Sequence, residues 1–255
     1  MVASSPSAWT SQGGLPLSDV PIQFTSAISA TLVDSSASDS RVVQAARVST
    51  VGASDELPGP QEAFGLINFL MENRHGSPFE HNSFTFLVEA PIFVSREFMR
   101  HRVGFSYNET SGRYRELPGL FYVPEVGREA VREEGTKVGD YCYRPDERLM
   151  ARFNGALRAS CSMAWAEYEL ALKEGMVPEV ARMLLPVNLM SSFYVTCNAR
   201  SLMSFLTLRT DHPESTFPSK PQREIAMVGD QLEAFLKEAM PLTYGAYILN
   251  GRVAP

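Results

Sequence analysis

A polar, arginine-rich stretch, residues 100–114, directly follows an apolar run, and this junction constrains the possible folds more than any other feature of the sequence. The apolar run, residues 90–94, is typical of a strand end that passes into a helix with Pro91 in its first turn. The stretch then holds three arginines, a histidine, a carboxylate, two serine hydroxyls and an amide. Because its root must be buried and its donors have few internal partners, we expect it to bind a polyanion, such as a nucleotide phosphate, rather than to form a solvated basic turn.

The composition is that of an acidic globular protein. The 255 residues carry a formal net charge of −6, with 44% hydrophobic and 20% charged residues. This acidity argues against nucleic-acid binding by the whole surface, so the arginine-rich stretch would be a local site. The sequence lacks an apolar run of transmembrane length and an export signal, which predicts a cytoplasmic protein with no membrane partner. Cys142, Cys161 and Cys197 have no zinc-binding spacing and are interpreted as reduced thiols.

The spacing of apolar residues predicts a mixture of strands and helices. Strands are predicted over residues 24–33, 83–88, 120–123 and 190–197, and helices over 42–48, 61–73, 91–102, 146–173, 198–209 and 224–239, with a short helix that begins at Pro178. Asp39 or Ser40 is the expected N-cap of the first helix. Residues 103–114 are expected to be a loop, 127–143 a surface excursion, and 1–20 a disordered or extended leader. The fold class is therefore α+β (mixed α/β), with one domain over residues 21–255.

Six arginines lie in or beside apolar segments, and their number bears on function. A buried, unpaired arginine is costly, so each would need an anion. For one arginine alone, a salt bridge to a carboxylate such as Glu80, Glu109 or Glu179 is the simpler interpretation. The six together outnumber the carboxylates at comparably apolar positions, which favours a ligand with phosphates. They are Arg100, Arg102, Arg113, Arg182, Arg200 and Arg209.

The common catalytic and metal-binding motifs are absent from the sequence. A dinucleotide fingerprint, a P-loop, a nucleophile elbow and a paired-histidine zinc motif each have a fixed spacing, and none is found. His75 and His81 are six residues apart in a turn and are interpreted as hydrogen-bonded histidines, so no metal is expected. None of the cysteines has an activating neighbour in sequence. The residues alone therefore predict an enzyme that binds a phosphorylated ligand, and they leave its reaction open.

The arginine-rich stretch also resembles the signature of a known family. Arg-His-Arg at residues 100–102, followed by Ser-x-Asn-Glu-x-Ser-x-Arg-Tyr at 106–114, is similar to the motif of the flavin-dependent thymidylate synthases. Further blocks resemble the family in the same order, and they are residues 47–49, 75–81, 84–86, 90–94, 181–189 and 198–209. The resemblance thus extends from residue 40 to residue 250, which a chance match of one loop would not give.

The resemblance implies a mixed α/β domain that assembles as a homotetramer, with FAD and substrate sites where subunits meet. It also implies the reductive methylation of dUMP to dTMP, with methylenetetrahydrofolate as carbon donor and NADPH as the reductant of FAD. Such a reaction explains why no nucleophilic cysteine is needed, because the cofactor carries the difficult chemistry.

The resemblance assigns site residues as well. Those implied to bind FAD are Ser49, His75, Ser77, Glu80, Arg100, His101, Arg102, Asn108, Glu109, Asn198, Arg200, Ser204 and His212. Those implied to bind dUMP are Glu97, Arg100, Glu109, Ser111, Gly112, Arg113, Arg182 and Arg209. Ser111 and Arg209 are implied to be catalytic, because Ser111 would polarise the pyrimidine near its reacting carbon and Arg209 would stabilise charge on the uracil ring. Arg113 or Arg182 would hold the phosphate through bidentate contacts.

Two departures from the family pattern fall near the arginine-rich stretch. Eight residues, 103–110, separate the Arg-His-Arg triplet from Ser111 where the family usually has seven, so we expect a local bulge. Glu97 stands where glutamine is common. A carboxylate there would repel the dUMP phosphate unless Arg100, one helical turn on, neutralises it.

Two more departures follow residue 198. Ser204 stands at a position often filled by asparagine. The chain between Arg209 and Gln222 is longer than in short family members, and His212 is the candidate for the histidine that contacts FAD.

Two other functions stay open on the sequence. A catalytically silent nucleotide- or RNA-binding relative would use the basic stretch only for phosphate contact. The retention of Ser111, Arg182 and Arg209 favours an enzyme, and the acidity of the chain disfavours RNA. A dUMP-independent flavin NADPH oxidase would result if Glu97 and the longer stretch had weakened dUMP binding.

Overall fold

The computed structural model describes residues 21–53, 56–135, 137 and 143–255. The leader predicted for residues 1–20, and Cys142, lie outside the described residues. At the centre is an antiparallel sheet whose four strands, in spatial order, are β2 (Ser29–Ser35), β3 (Phe84–Pro91), β8 (Met190–Cys197) and β4 (Phe105–Glu109). Cys161 and Cys197 are both buried free thiols.

The two inner strands confirm the predictions over residues 83–88 and 190–197. In β3 the buried side chains of Phe84, Phe86 and Val88 alternate with partly exposed ones, as expected for a strand with one face in the core. Val195 lies opposite Phe86, and Phe193 lies opposite Val88. These cross-strand apolar pairs fix the register, because a slip of one residue would move the apolar set to the other face.

Strand β4 shows that the loop predicted over residues 103–114 is wrong for its middle part. The strand pairs with β8, with Phe105 opposite Cys197. Phe105 and Tyr107 turn inward, with ring centroids 6.4 Å and 6.1 Å from that of Phe98, while Ser106 between them is exposed. This is the alternation of a half-buried strand. Serine and asparagine, which favour turns, conceal it in the sequence.

Eight helices pack on or around the sheet in the described part of the chain. They are α1 (Asp39–Val51), α2 (Pro60–Glu72), α3 (Ile92–Phe98), α4 (Glu147–Lys173), α5 (Pro178–Ala181), α6 (Ala199–Arg209), α7 (Arg223–Ala239) and α8 (Pro241–Leu249). Single 3₁₀ turns lie at Ser77–Glu80 and Arg182–Leu184. None of these helices is both long and apolar enough to cross a membrane.

Three helix predictions need correction. The N-cap of α1 is Ser38, whose hydroxyl accepts from the Arg41 amide, and not Asp39 or Ser40. Helix α3 ends at Phe98 rather than at residue 102, because the chain closes into tighter three-residue turns there, as in the His101 amide bond to the Phe98 carbonyl. Helix α8, which begins at Pro241, was not predicted at all, and proline at its first position starts it without loss of a hydrogen bond.

Two smaller strand pairs complete the fold. The strand predicted over residues 24–33 is two strands, β1 (Gln23–Thr25) and β2, and β1 pairs in parallel with β5 (Leu120–Tyr122). Within the predicted surface excursion, β6 (Val131–Arg132) pairs with β7 (Tyr143–Arg144). One core lies between the sheet and α1, α2, α6, α7 and α8, and a second lies under α4 around Trp165. Together these elements form a mixed α/β domain.

Candidate active site

Several of the predicted site residues meet where the connection from α3 to β4 lies along α6. This junction extends from Gly104, at the first turn of α6, to His101, beside the last residue of the helix, Arg209. Gly104 in that connection has φ of 69°, a conformation that favours glycine. A Cβ at this position would lie 2.1 Å from Oγ of Ser201 and 3.0 Å from Nδ2 of Asn198. Backbone conformation and lack of space therefore both require glycine here, and its use lets residues 99–104 lie directly on α6.

Glu97, Arg209 and His101 form a hydrogen-bonded chain at this junction. Nη1 of Arg209 forms an ion pair with Oε1 of Glu97, and Nε donates to Nε2 of His101 at 2.9 Å. The side chains of Arg209 and Glu97 are 22% and 23% exposed, so water screens this pair less than it screens a surface pair. Arg209 is thereby fixed at two nitrogens, and its Nη2 has no partner among the described residues.

His101 is neutral at physiological pH. Burial, and then the charge of Arg209, lower its pKa to about 4. Because Nε2 accepts from Arg209, the neutral ring carries its proton on Nδ1. The ring packs edge-on against Phe205 at 4.9 Å, and the His101 carbonyl accepts from the hydroxyl of Tyr107 at 2.7 Å. Burial raises the pKa of Tyr107, so this hydroxyl remains a donor.

The partner of Glu97 differs from the one expected. Arg100 was expected one helical turn beyond Glu97, but α3 ends at Phe98 and Arg100 lies exposed beyond it. Arg209 neutralises Glu97 instead, from a helix 112 residues further along the chain. The expected neutralisation is therefore present, and it comes from an implied catalytic residue.

The six arginines divide into three that have carboxylate partners and three that do not. Arg113 pairs with Glu179 at 2.7 Å, Arg200 with Glu80 at 2.6 Å, and Arg209 with Glu97. Arg100, Arg102 and Arg182 are exposed, and within the described residues their side chains make no hydrogen bond or ion pair. Arg182 is therefore not buried as the sequence suggested, because the turn Arg182–Leu184 lies at the surface. The simpler salt-bridge interpretation holds for half of the set, and three guanidinium groups remain for a ligand.

The residues after β4 form a tight turn fixed to the neighbouring strand. Glu109 accepts from the buried hydroxyl of Ser191 on β8 at 2.5 Å. The Arg113 amide donates to Oγ of Ser111 at 3.2 Å, and Gly112 between them is buried. Ser111 is partly buried and its own hydroxyl proton is not engaged by a partner in the described residues. The turn therefore presents one hydroxyl and one guanidinium at the end of the edge strand.

A second group of predicted residues surrounds Arg200 at the start of α6. Its Nη1 donates to Glu80, and its Nε donates to the main-chain oxygen of Pro255 at 2.6 Å. Gly76 lies so close that a Cβ there would be 2.4 Å from Nε of Arg200. Asn198 is the N-cap of α6, because its Oδ1 accepts from the Ser201 amide at 2.9 Å. Nη2 of Arg200 has no partner in the described part of the chain.

The other residues implied to bind FAD lie at the surface. Ser49, Ser77, Asn108 and Ser204 are exposed. His75 is also exposed, and its ring lies edge-on to Phe69 at 5.8 Å. His212 contacts α7 instead, because its Nε2 lies 3.4 Å from Oε2 of Glu233.

Sequence reasoning missed Tyr107, Ser191, Glu233 and Arg252. Ser191 carries a visible signal, because two adjacent serines are unusual in an otherwise apolar strand. Arg252 sits in a short apolar tail, where a charged residue points to a buried partner. In the described residues no cluster of His, Cys, Asp or Glu side chains could hold a metal ion.

Comparison with known proteins identifies the family. Residues 31–242 match the sequence model of the family described as thymidylate synthase complementing protein. The chain belongs to the flavin-dependent thymidylate synthase family. It is 53% identical over 244 residues to the flavin-dependent thymidylate synthase of Streptomyces avermitilis, which covers 94% of this chain and 98% of the relative. The corresponding protein of Streptomyces coelicolor is 52% identical over 247 residues, covering 94% and 99%.

Two solved structures are also similar to this member of the flavin-dependent thymidylate synthase family. Both are of a UMP/dUMP methylase, PolB from Streptomyces cacaoi, one bound with 5-Br UMP and one with 5-Br dUMP. The first has a TM-score of 0.82 at 48% identity, and the second a TM-score of 0.85 at 46% identity. Each covers 92% of this chain and 100% of the solved chain.

The donor set of this junction fits the flavin on which the family depends. FAD carries a diphosphate, and planar guanidinium groups are the side chains best suited to bind it. Arg100 and Arg102 are exposed without carboxylate partners among the described residues, and Nη2 of Arg200 is also free. Arg100 and Arg102 lie in the connection after α3, and Arg200 lies in the first turn of α6, which Gly104 of that connection contacts.

Proposed function

We propose that this protein is a cytoplasmic flavin-dependent thymidylate synthase that methylates dUMP to dTMP, with methylenetetrahydrofolate as carbon donor and NADPH as reductant. The observation that carries the proposal is the fixed position of Arg209. Glu97 and His101 hold two of its nitrogens, and the remaining Nη2, which has no partner among the described residues, can act on a ligand. The catalytic domain is the unit of residues 21–255.

The flavin is FAD, bound by residues at the junction and around Arg200. Arg100, Arg102 and Arg200 contact its phosphates through their free nitrogens. The other FAD contacts come from Ser49, His75, Ser77, Glu80, His101, Asn108, Glu109, Asn198, Ser204 and His212. When bound and reduced, the flavin supplies the hydride for the reaction.

Arg209 and Ser111 act on the pyrimidine of dUMP. The Ser111 hydroxyl donates to the ring and polarises it near the reacting carbon. Arg209 stabilises the negative charge that develops on the uracil, and because Glu97 and His101 hold it beforehand, little reorganisation is needed when that charge forms. Neutral His101 adds no second positive charge beside Arg209, which keeps the guanidinium of Arg209 the local positive centre.

The remaining substrate contacts hold the nucleotide. Arg113 and Arg182 bind the dUMP phosphate, and Arg100 adds positive charge. The Arg182 side chain has no partner in the part of the chain that the structure describes, whereas Arg113 must share its guanidinium with Glu179, which accepts from its Nε. Glu109 and Gly112 line the same part of the site, and the ion pair with Arg209 offsets the charge of Glu97.

We further propose that the enzyme is a homotetramer whose subunits complete each other's sites. Leu149, Phe153, Met163 and Leu170 lie on one face of α4 and are 44%, 52%, 68% and 48% exposed. A group of exposed apolar side chains on one face is typical of a helix that packs on another subunit. Light scattering is expected to give a tetrameric mass, and a monomeric mass would contradict the proposal.

The decisive assay is dTMP formation from dUMP with methylenetetrahydrofolate, NADPH and FAD, omitting each component in turn. Product that requires all four supports the proposed reaction. Flavin reduction by NADPH without product, and indifferent to dUMP, would support the NADPH oxidase instead. Nucleotide binding without any flavin reduction would support the silent binding relative.

A second candidate substrate is UMP. Both similar solved structures are of a protein described as a UMP/dUMP methylase, at 46% and 48% identity to this chain. The same assay with UMP in place of dUMP tests this candidate. Formation of 5-methyl-UMP at a rate comparable to that of dTMP would establish a dual substrate range.

A further inference from the structure

Arg252 is a buried arginine to which the proposed reaction gives no role. Its relative exposure is 2%, and its Nη1 and Nη2 donate to Oε1 and Oε2 of Glu233 at 2.6 Å and 2.8 Å. Nη2 also donates to Oγ1 of Thr210 at 2.9 Å. The backbone of Arg252 has φ of 58°, which residues other than glycine seldom adopt. A buried charge in a sparsely populated conformation persists only where its surroundings determine it strongly.

Residues 250–255, here named the strap, contact helix α6 at both of its ends. At the end near Arg209, Oγ1 of Thr207 donates to the Arg252 carbonyl at 2.6 Å, and the Arg252 side chain bonds Thr210. At the other end, Nε of Arg200 donates to the main-chain oxygen of Pro255 at 2.6 Å. The strap therefore bonds Arg200 directly, and it bonds Thr207 and Thr210, which flank Arg209 in the sequence.

Helix α7 supports the strap from behind. Gly229 lies so close to the end of α6 that a Cβ there would be 2.9 Å from the carbonyl oxygen of Arg209. Glu233 is one turn further along α7 and is itself buried. The Glu233 carboxylate accepts from Arg252 with both oxygens and from the hydroxyl of Tyr244 at 2.9 Å. The Arg252 guanidinium thus joins α7, the strap and the end of α6.

We propose that Arg252 is a positioning residue that holds both ends of α6, and through them Arg200 and Arg209, in the geometry that binds flavin and substrate. What Arg200 and Arg209 bind rests on the proposed function, but the positioning of α6 does not. A supporting residue of this kind fixes the orientation of the groups that touch the ligand.

The first test is hydrogen exchange of the flavin-free protein, comparing Arg252→Met with Arg128→Met. Arg128 is a matched control, because it also forms a bidentate pair with a buried carboxylate of α7, Glu224, at 2.6 Å and 2.9 Å. We expect Arg252→Met to speed exchange of the α6 amides by about tenfold while Arg128→Met leaves them unchanged. Unchanged α6 exchange in Arg252→Met, or equal acceleration in both variants, would overturn the proposal.

The second test measures FAD affinity from the quenching of flavin fluorescence. Arg252→Met is expected to raise the dissociation constant about tenfold, and to add no further loss in a chain that already carries Arg200→Ala. If the losses of FAD affinity in the two variants add, Arg252 does not act through Arg200, and this part of the proposal is overturned. If the wild-type protein binds no FAD, the proposed function fails, and the exchange experiment alone decides whether Arg252 positions α6.

A milder variant keeps the proposal testable if Arg252→Met does not fold. Arg74 is exposed, and its Nη1 donates to the main-chain oxygens of Val253 and Ala254 at 2.9 Å and 3.2 Å. Arg74→Met removes these bonds to the strap without removing a buried charge. We expect faster exchange at the Arg200 end of α6, and exchange identical to wild type would overturn the proposal.

Discussion

Acidification is expected to destabilise the fold through His101 in particular. The pKa of this histidine is about 4 in the folded chain, against an ordinary value of 6.5, because the ring is buried and lies beside Arg209. As the pH falls below 6.5, the unfolded chain gains a proton on this ring that the folded chain does not. The contribution of neutral His101 to the free energy of unfolding is therefore fully present above pH 6.5, and it is lost progressively as the pH falls toward 4.

The size of the effect follows from the two pKa values. Between pH 7 and pH 5 the linkage relation gives a loss of at most about 2 kcal/mol in the free energy of unfolding. The ring is partly exposed, so solvent screening makes this an upper value. One residue of 255 thus accounts for a loss that is an appreciable fraction of the total stability of a typical domain, about 5–15 kcal/mol.

The measurement compares wild type with His101→Gln in urea unfolding at pH 7 and pH 5, both without flavin. Glutamine offers Oε1 as an acceptor for Nε of Arg209 and does not titrate. Wild type should lose more stability than the variant over this interval, by up to about 2 kcal/mol. The chain has four histidines. In an NMR titration of their ring resonances, the signal of one histidine should stay unchanged down to pH 5. Parallel losses in the two proteins, or a His101 signal that titrates near pH 6.5, would refute the reasoning.

Three further variants test the junction. Arg209→Ala should retain FAD but lower dTMP formation by roughly 10²–10³-fold, since one charge-stabilising group is lost, and unchanged turnover would remove its catalytic role. Glu97→Gln should lower the KM for dUMP by about fivefold, because the charge of Arg209 is no longer offset by a carboxylate, and a higher KM in steady-state assays would contradict this. Gly104→Ala should lower the free energy of unfolding by about 1–3 kcal/mol, because of its positive φ and the approach of Ser201. The control Gly127→Ala, which meets no atom within 4 Å, should stay near wild type, and equal denaturation midpoints for both would contradict the prediction.

The sequence predicts best those elements whose pattern is long and locally complete. Helix α4 was predicted over residues 146–173 and spans Glu147–Lys173, with Asp146 as its N-cap. The apolar stripe of a helix of this length repeats several times, and its capping residue is adjacent in sequence. The strand over residues 190–197 was also predicted with its observed bounds, since it is bounded by Asn198, the N-cap of the next helix.

Short elements with turn-forming residues were predicted poorly. Strand β4 has only five residues, two of which are Ser106 and Asn108, and it exists because β8 offers it a free edge. Its pairing partner lies almost 90 residues away, so no local pattern reports it. Helix α3 ends early for a similar reason, because residues 99–104 must turn to lie on α6.

The site shows the same division. The residue types of the implied site are visible in the sequence, and the structure gathers Glu97, His101 and Arg209 at one junction. The partners are not visible, because the ion pair of Glu97 with Arg209 spans 112 residues. Arg100 was considered as the residue that could neutralise Glu97 because it is the nearest arginine on the predicted helix, but the structure ends that helix at Phe98.

The division of the arginines into held and free groups follows from the two tasks of such a site. A side chain that stabilises charge during a reaction must be oriented before the charge forms, and Arg209 meets this need because Glu97 and His101 restrict it during folding. A side chain that captures a mobile polyanion gains from reach rather than from fixed orientation, and the exposed Arg100, Arg102 and Arg182 retain that freedom. These side chains then lose their conformational entropy when the ligand binds, so that the loss lowers the affinity and not the free energy of unfolding. Exchanging Glu97 for glutamine would therefore shift Arg209 from the held group toward the free one, and a decrease in kcat together with the lower KM would be the kinetic sign of that shift.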